Sequence, residues 1–275
     1  MKMSKMTTMI LAAVLVLAFA ISAPAIDVQK ELAKSSVIDK ILRSGKLRVG
    51  MSTFVPWAMQ DKKGQWVGFE IDMAKKLAED MGVKVEFIPT KWEGLIPSLL
   101  TGKFDLVIAG MTGTPQRALK INFTVPYDFS MINIVAHKKV AAGFATAADF
   151  NKPEVTVLTR NGTTAVATVK KFLPKAKLRL FTDNGPMVQE LLNGKAHAIV
   201  SSSPEPAQLA AKHPEQLFYI DESLTQEPIS IGVKKGDPDT LAYLNNWIVV
   251  KKNEGFIEDR VNYWWKSSKW ESLLE

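Results

Sequence analysis

The chain has 275 residues, long enough for one large domain or for two lobes with separate cores. Hydrophobic residues make up 47% and charged residues 23%, the balance of a soluble globular protein. The absence of cysteine excludes a disulfide framework, a thiolate metal site and a cysteine nucleophile. A net charge of +7 comes from scattered lysines with no basic run interleaved with aromatics, which argues against a nucleic-acid partner and for a solvated basic surface. Such a surface favours anionic small molecules or an acidic partner.

Lys2 and Lys5 precede an apolar run from Met9 to Ile21, and Ala23-Pro24-Ala25 follows in an A-x-A pattern. The pattern predicts a secretory signal peptide over residues 1–25, cleaved after Ala25, with Ala20 as the second choice. The run is short for a bilayer span, and no cysteine follows it to carry a lipid. The expected mature protein is periplasmic, soluble and not lipid-anchored.

Ile26–Ser44 reads as a helical lead-in, with Leu32, Val37, Ile38, Ile41 and Leu42 among charges. Leu47–Gly50 reads as a strand and Ser52–Gln65 as a loop carrying Phe54, Pro56 and Trp57. Ile71, Ala74, Leu77, Ala78 and Met81 fall on one face of a helix ended by Gly82. Val83–Ile88 is a strand, Trp92–Thr101 a helix closed by Gly102, and Leu106–Ile108 a strand suited to burial on both faces. The second half repeats this order: strand Val155–Leu158, a turn at Arg160–Thr164 into a helix to about Leu173, strand Leu178–Phe181, helix Pro186–Asn193, strand Ala198–Val200. Leu99-Leu100-Thr101-Gly102-Lys103 is echoed by Leu191-Leu192-Asn193-Gly194-Lys195.

Two such series predict an α/β protein of two lobes, each a mostly parallel sheet flanked by helices. Lobe 1 is expected at 26–134 and 232–275, and lobe 2 at 135–231. Hinges are expected near Met131–Ala136 and Pro228–Val233. Trp247, Trp264, Trp265 and Trp270 then pack the terminal helices onto lobe 1. Ligands of such sheets sit beyond the C-terminal strand ends. Those ends carry Phe54, Gly110–Thr112, Arg160–Thr164 and Ser201–Ser203.

One of these ends is Phe104–Arg117, reading FDLVIAGMTGTPQR. The strand breaks at Gly110, and a helix restarts with Thr114 as N-cap and Pro115 at its first position. Free amides converge at such a start, and Arg117 adds a planar charge suited to a carboxylate. Taken alone, the stretch is equally an ordinary helix start with a surface arginine.

In order and spacing, Leu47-Arg48-Val49-Gly50, Phe54-Val55-Pro56-Trp57, Gly68–Ala74, Trp92–Pro97, Ala109-Gly110-Met111-Thr112, Thr114–Arg117, Phe123–Tyr127 and Gly162-Thr163-Thr164 resemble the periplasmic polar-amino-acid-binding proteins, the solute receptors of ABC importers. The resemblance implies the type II periplasmic-binding fold, joined by two hinge strands. It implies that Arg117 binds a ligand carboxylate with Thr112 and the Thr163 and Thr164 amides. It implies that the Ala109–Gly110 turn faces a ligand amine with the Gly110 carbonyl, and that Phe54 and Trp92 sandwich the ligand. Trp57 either joins them or packs in the core. A small-molecule ligand, a membrane ABC permease, no cofactor and a monomer follow from the same resemblance.

Two departures stand out. Where the family carries an aspartate for the ligand's amine, this chain has Ser202, which supplies no negative charge. Either another acid takes that role, with Asp183, Glu205 and Glu227 as unranked candidates, or the ligand lacks a free α-amine. With Arg160 at the mouth, Ser202 points to an anionic ligand such as an acidic amino acid, a dicarboxylate or another carboxylic acid. His197 replaces a structural aspartate and reads as an edge residue. Exported prephenate or arogenate dehydratases also resemble this chain. The catalytic glutamate that this likeness implies falls at Ala165, which cannot move a proton. A receptor serving a sensor is a third possibility. His137, His197 and His213 have no metal-ligand spacing, and no histidine is placed to activate Ser201–Ser203.

Overall fold

The computed structural model describes residues 36–274, so the expected signal peptide and the start of the lead-in lie outside the described residues. The first lobe runs α1 (Val37–Ser44), β1 (Lys46–Met51), a small hairpin of β2 (Met59–Gln60) and β3 (Trp66–Val67), α2 (Phe69–Asp80), β4 (Lys84–Pro89), α3 (Leu95–Leu100), β5 (Leu106–Val107), α4 (Pro115–Ala118) and β6 (Asn122–Phe123). The second holds β7 (Asp128–His137), β8 (Thr156–Arg160), α5 (Thr164–Phe172), β9 (Lys177–Phe181), α6 (Asn184–Leu192), β10 (Ala198–Ser202), α7 (Glu205–Lys212) and β11 (Leu217–Ile229). The chain then returns through β12 (Gly232–Val233) and ends in α8 (Pro238–Asn253) and α9 (Phe256–Lys266).

Each lobe is built on a five-stranded sheet, ordered β4-β1-β5-β12-β6 and β11-β7-β10-β8-β9. Both are mixed. The strand–helix–strand units form a parallel trio, β4-β1-β5 in one lobe and β10-β8-β9 in the other. Strands on either side of the crossings add the antiparallel pairs. The parallel trios carry the ends that face the site, so the strand-end rule applies to them unchanged.

The first crossing falls earlier than the expected Met131–Ala136. Ile132 to Ala136 pair with β10, and Met131 pairs with β11, so this run is already inside the second sheet. Ile132, Ile134, Val135 and Ala136 are fully buried. An extended apolar run reads the same from sequence whether it is a hinge or a buried strand. By strand pairing the first lobe ends near Tyr127, not at 134, because the chain crosses between Phe123 and Asp128. The return lies within the expected Pro228–Val233, between Ile229 and Gly232.

The C-terminal helices pack on the first lobe. Leu244, Trp247, Ile248, Trp264 and Trp270 share one core with Leu47, Val49, Phe69 and Leu77. Buried indoles need partners for their N–H. Trp247 donates to Asp80 and Trp264 to Asp72, each at 2.8 Å, and both acids stand on α2.

At the lobe junction, Glu70 and Tyr127 are both fully buried, and the Tyr127 hydroxyl lies 2.8 Å from each carboxylate oxygen of Glu70. Burial pushes the Glu70 carboxyl up to about 8, against the pull of the Tyr127 hydroxyl; Asp128 adds to the rise and the Gly110 backbone opposes it. In the unfolded chain Glu70 ionises in the ordinary carboxylate range, at about 4.3. Across the interval up to about 8, the folded state holds a proton that the unfolded state has released. This contribution is complete below the ordinary range and is lost as pH rises through the interval. Thermal melts between about pH 5 and about pH 8 should show wild-type stability falling with pH, and Glu70→Gln should flatten that slope.

Candidate functional site

A cavity lies between the lobes at the ends of β1, β5, β8 and β10. All eleven ligand-site residues expected from sequence border it: Phe54, Trp57, Trp92, Ala109, Gly110, Thr112, Arg117, Arg160, Thr163, Thr164 and Ser202. Ser52, Ser130, Thr159 and Ile229 border it too and were not expected. Thr159 lies one residue and Ser52 two residues from positions already identified at strand ends, so slightly wider strand ends would have found them. Ser130 and Ile229 come from the antiparallel β7 and β11, which the strand-end rule does not cover.

The turn after β5 is shaped by what lies beneath it. Gly110 has φ of +63°, and a Cβ there would stand 2.7 Å from the Trp57 ring. Glycine is thus required for both backbone and space. Trp57 is buried, rests on Trp265 and Phe69 at centroid distances of 4.5 and 6.0 Å, and stacks with Phe54 at 6.2 Å. Both readings of Trp57 therefore meet: the ring packs in the core while also bordering the cavity.

Thr114 caps α4 by accepting the Arg117 amide at 3.3 Å, with Pro115 at the first helical position. This aims the Arg117 side chain back across the turn. Its guanidinium donates to the Thr112 carbonyl at 2.9 Å and, across the cleft, to the Gly162 carbonyl at 3.0 Å. It stands 5.4 Å from the centre of the Trp92 ring. Desolvation lowers its pKa and Glu227 counters that, yet an arginine stays charged. Opposite, Thr163 precedes α5 and its own amide turns back to the Arg160 carbonyl at 3.4 Å, while among the described residues the Thr164 and Ala165 amides have no acceptor. Thr163, Thr164 and Ala165 at that start all border the cavity. A cation on one wall and open amides on the other make a carboxylate-binding arrangement.

The lobes are closed on each other by contacts of the Arg160–Gly162 turn. Trp92 Nε1 donates to the Gly162 carbonyl at 2.9 Å, and Asn161 Nδ2 donates to Glu93 at 2.7 Å. Arg160 donates to the Ser52 hydroxyl at 2.7 Å and to the Thr53 carbonyl at 3.4 Å. Desolvation lowers its pKa, while Asp183, Glu205 and Glu93 pull it back up. The Arg160 charge is thus tied to the opposite lobe and faced by three acids.

The three candidate acids differ in placement. Glu205 is buried; its carboxylate accepts the Ser201 hydroxyl at 2.5 Å and the Asn184 amide, and burial raises its pKa. Asp183 borders a separate opening beside Lys91 and Gly185. Glu227 alone of the three borders the cavity. His197 lies away from it: Nδ1 accepts the Thr156 amide at 3.1 Å, and the ring stacks with Phe144. His197 leads into β10, the central strand of its sheet, between β7 and β8, and so does not stand at a sheet edge as expected; desolvation lowers its pKa.

Similarity to known proteins matches this architecture. Residues 47–267 match the family described as bacterial extracellular solute-binding proteins, family 3. The cyclohexadienyl dehydratase of Pseudomonas aeruginosa is 27% identical over 240 residues, covering 84% of this chain and 87% of that one. An ancestral amino acid-binding protein, described as a precursor of cyclohexadienyl dehydratase, is 41% identical with a TM-score of 0.76, covering 84% of this chain and 100% of that one. A Wolinella succinogenes protein described as the binding component of an ABC transporter, solved with lysine, is 38% identical with a TM-score of 0.79, covering 83% of this chain and 99% of that one. Among the described residues no helix is long and apolar enough to cross a membrane. The chain belongs to the bacterial extracellular solute-binding proteins of family 3, and it has their two-lobed type II periplasmic-binding fold.

Proposed function

We propose that this protein is a periplasmic receptor that captures one amino acid or related carboxylate between its lobes and delivers it to a membrane ABC importer. The observation that carries the reading is Arg117, a permanent cation at the cavity wall, facing the open amides at the start of α5. The ligand docks first on lobe 1, its carboxylate on Arg117 and Thr112 and its remainder against Phe54 and Trp92. Lobe 2 then closes, bringing Thr163, Thr164 and Ser202. Closure removes water from the cleft and strengthens each polar contact. The closed form, acting as a monomer after removal of the signal peptide, is the surface the importer reads. Relatives that bind lysine or other amino acids support the ligand class.

The similarity to cyclohexadienyl dehydratase supports a second reading as an enzyme. Against it, Ala165 borders the cavity with a methyl group, where the likeness implies a catalytic glutamate. Incubation with prephenate and with arogenate, followed by absorbance, should give no product; turnover would establish the enzyme instead. In calorimetric titrations against a panel of amino acids and carboxylates, Arg117→Ala should weaken binding by at least ~2 kcal/mol, about 30-fold. Unchanged affinity in that variant would remove Arg117 as the anchor.

A further inference from the structure

We propose that Glu227 receives the α-ammonium of the ligand, so that the ligand is a zwitterionic α-amino acid and not a dicarboxylate. This rests on the receptor reading of the cavity and specifies what the cavity selects.

A ligand ammonium taken out of water needs an acidic partner, and Ser202 is not one. Of the acids near the cleft, Glu205 is engaged by Ser201 and Asn184, and Asp183 faces a different opening. Glu227 borders the cavity; its Oε1 accepts the Thr225 hydroxyl at 2.8 Å, and among the described residues Oε2 has no hydrogen-bond donor.

The backbone places this carboxylate beside the carboxylate anchor. Thr112 forms an antiparallel bridge with Ile229. Glu227, two residues from Ile229 on β11, projects from the same strand face, and both side chains border the cavity. Thr112 is the residue whose carbonyl holds Arg117, and Glu227 attracts that guanidinium. An α-amino acid carries its two charges on either side of a single carbon, so its cation and anion partners must adjoin. Arg117 and Glu227 meet that requirement.

A dicarboxylate would set an anion against Glu227 in a poorly hydrated space, which costs affinity. Arg160 does not offset this, because Ser52, Thr53 and three acids already engage it. Of the anionic ligands that Ser202 and Arg160 suggest from the sequence, the placement of Glu227 therefore disfavours a dicarboxylate and keeps an acidic amino acid.

The test titrates the full mature chain by calorimetry with the twenty L-amino acids and, for each one bound, the carboxylic acid lacking only the α-amine. Wild type should prefer the amino acid over its deaminated counterpart by about 30-fold or more. Glu227→Gln should abolish most of that preference, weakening the amino acid about 30-fold and leaving the deaminated acid within about twofold. Glu227→Asp, which keeps the charge on a shorter arm, should recover part of it. A merely structural Glu227 would weaken both ligands equally, and that result overturns the proposal. So does equal wild-type affinity for the two members of a pair, or a preference untouched in Glu227→Gln; either leaves the receptor reading standing. Binding of no panel member would overturn both.

Discussion

The Arg117 guanidinium donates to one carbonyl from each lobe, Thr112 on its own side and Gly162 on the other. A rigid planar fork held this way has little freedom to reorient, which favours a planar carboxylate over other anions. Its position depends on a turn that only glycine fits at 110, and that turn rests on Trp57. Trp57 rests in turn on Trp265 of α9, from the far end of the chain. The terminal helices therefore support the cavity wall as well as closing the core. Tryptophan suits this role because a large rigid ring carries position across several ångströms with few rotatable bonds.

Closure draws on a different set of residues. The Arg160–Gly162 turn meets Ser52, Thr53, Trp92, Glu93 and Arg117 through hydrogen bonds to backbone and side chains. Most of these donors and acceptors are partly exposed, so water competes for them and each adds only modest stability. An equilibrium held by several modest contacts can be biased by one ligand that bridges both walls. The buried pair Glu70–Tyr127 has the opposite character. It is dry and fixed, and it lies where β7 begins, so it anchors the crossing on the first lobe.

How much of this was legible in the sequence follows from where each residue stands. The parallel trios were readable because helical apolar runs ended by glycine mark helix–strand junctions, as at Gly82, Gly102 and Gly194. Phe54, Gly110, Thr112 and Thr163 follow from the strand-end rule applied to those trios. β11 was not readable: Asp221, Glu222, Thr225, Gln226 and Glu227 give it no apolar alternation, since it is an edge strand with a register shift between Ile220 and Thr225. The first crossing was misplaced because Met131–Ala136 is apolar for burial, not for hinging. Ser130 and Glu227 could not be ranked from sequence for a related reason. They are paired neighbours on β7 and β11, and only that pairing turns both toward the cavity.

The placement of the two charges bears on how selection and closure combine. Arg117 belongs to the first lobe, while Glu227 sits on the strand that leads back from the second lobe, two residues before its end at Ile229. The Thr112–Ile229 bridge ties that strand end to the first lobe's turn. A carboxylate at this point moves little when the lobes rotate, because it is close to the axis of the crossing. The aspartate usual in the family would ride on the moving sheet, at the position of Ser202. If Glu227 takes the ammonium as proposed, the acid stands at the crossing and not at the position of Ser202. Closure is then left to add the amides at the start of α5 and the Ser202 hydroxyl, contacts that exclude water without having to carry an unpaired charge across the cleft.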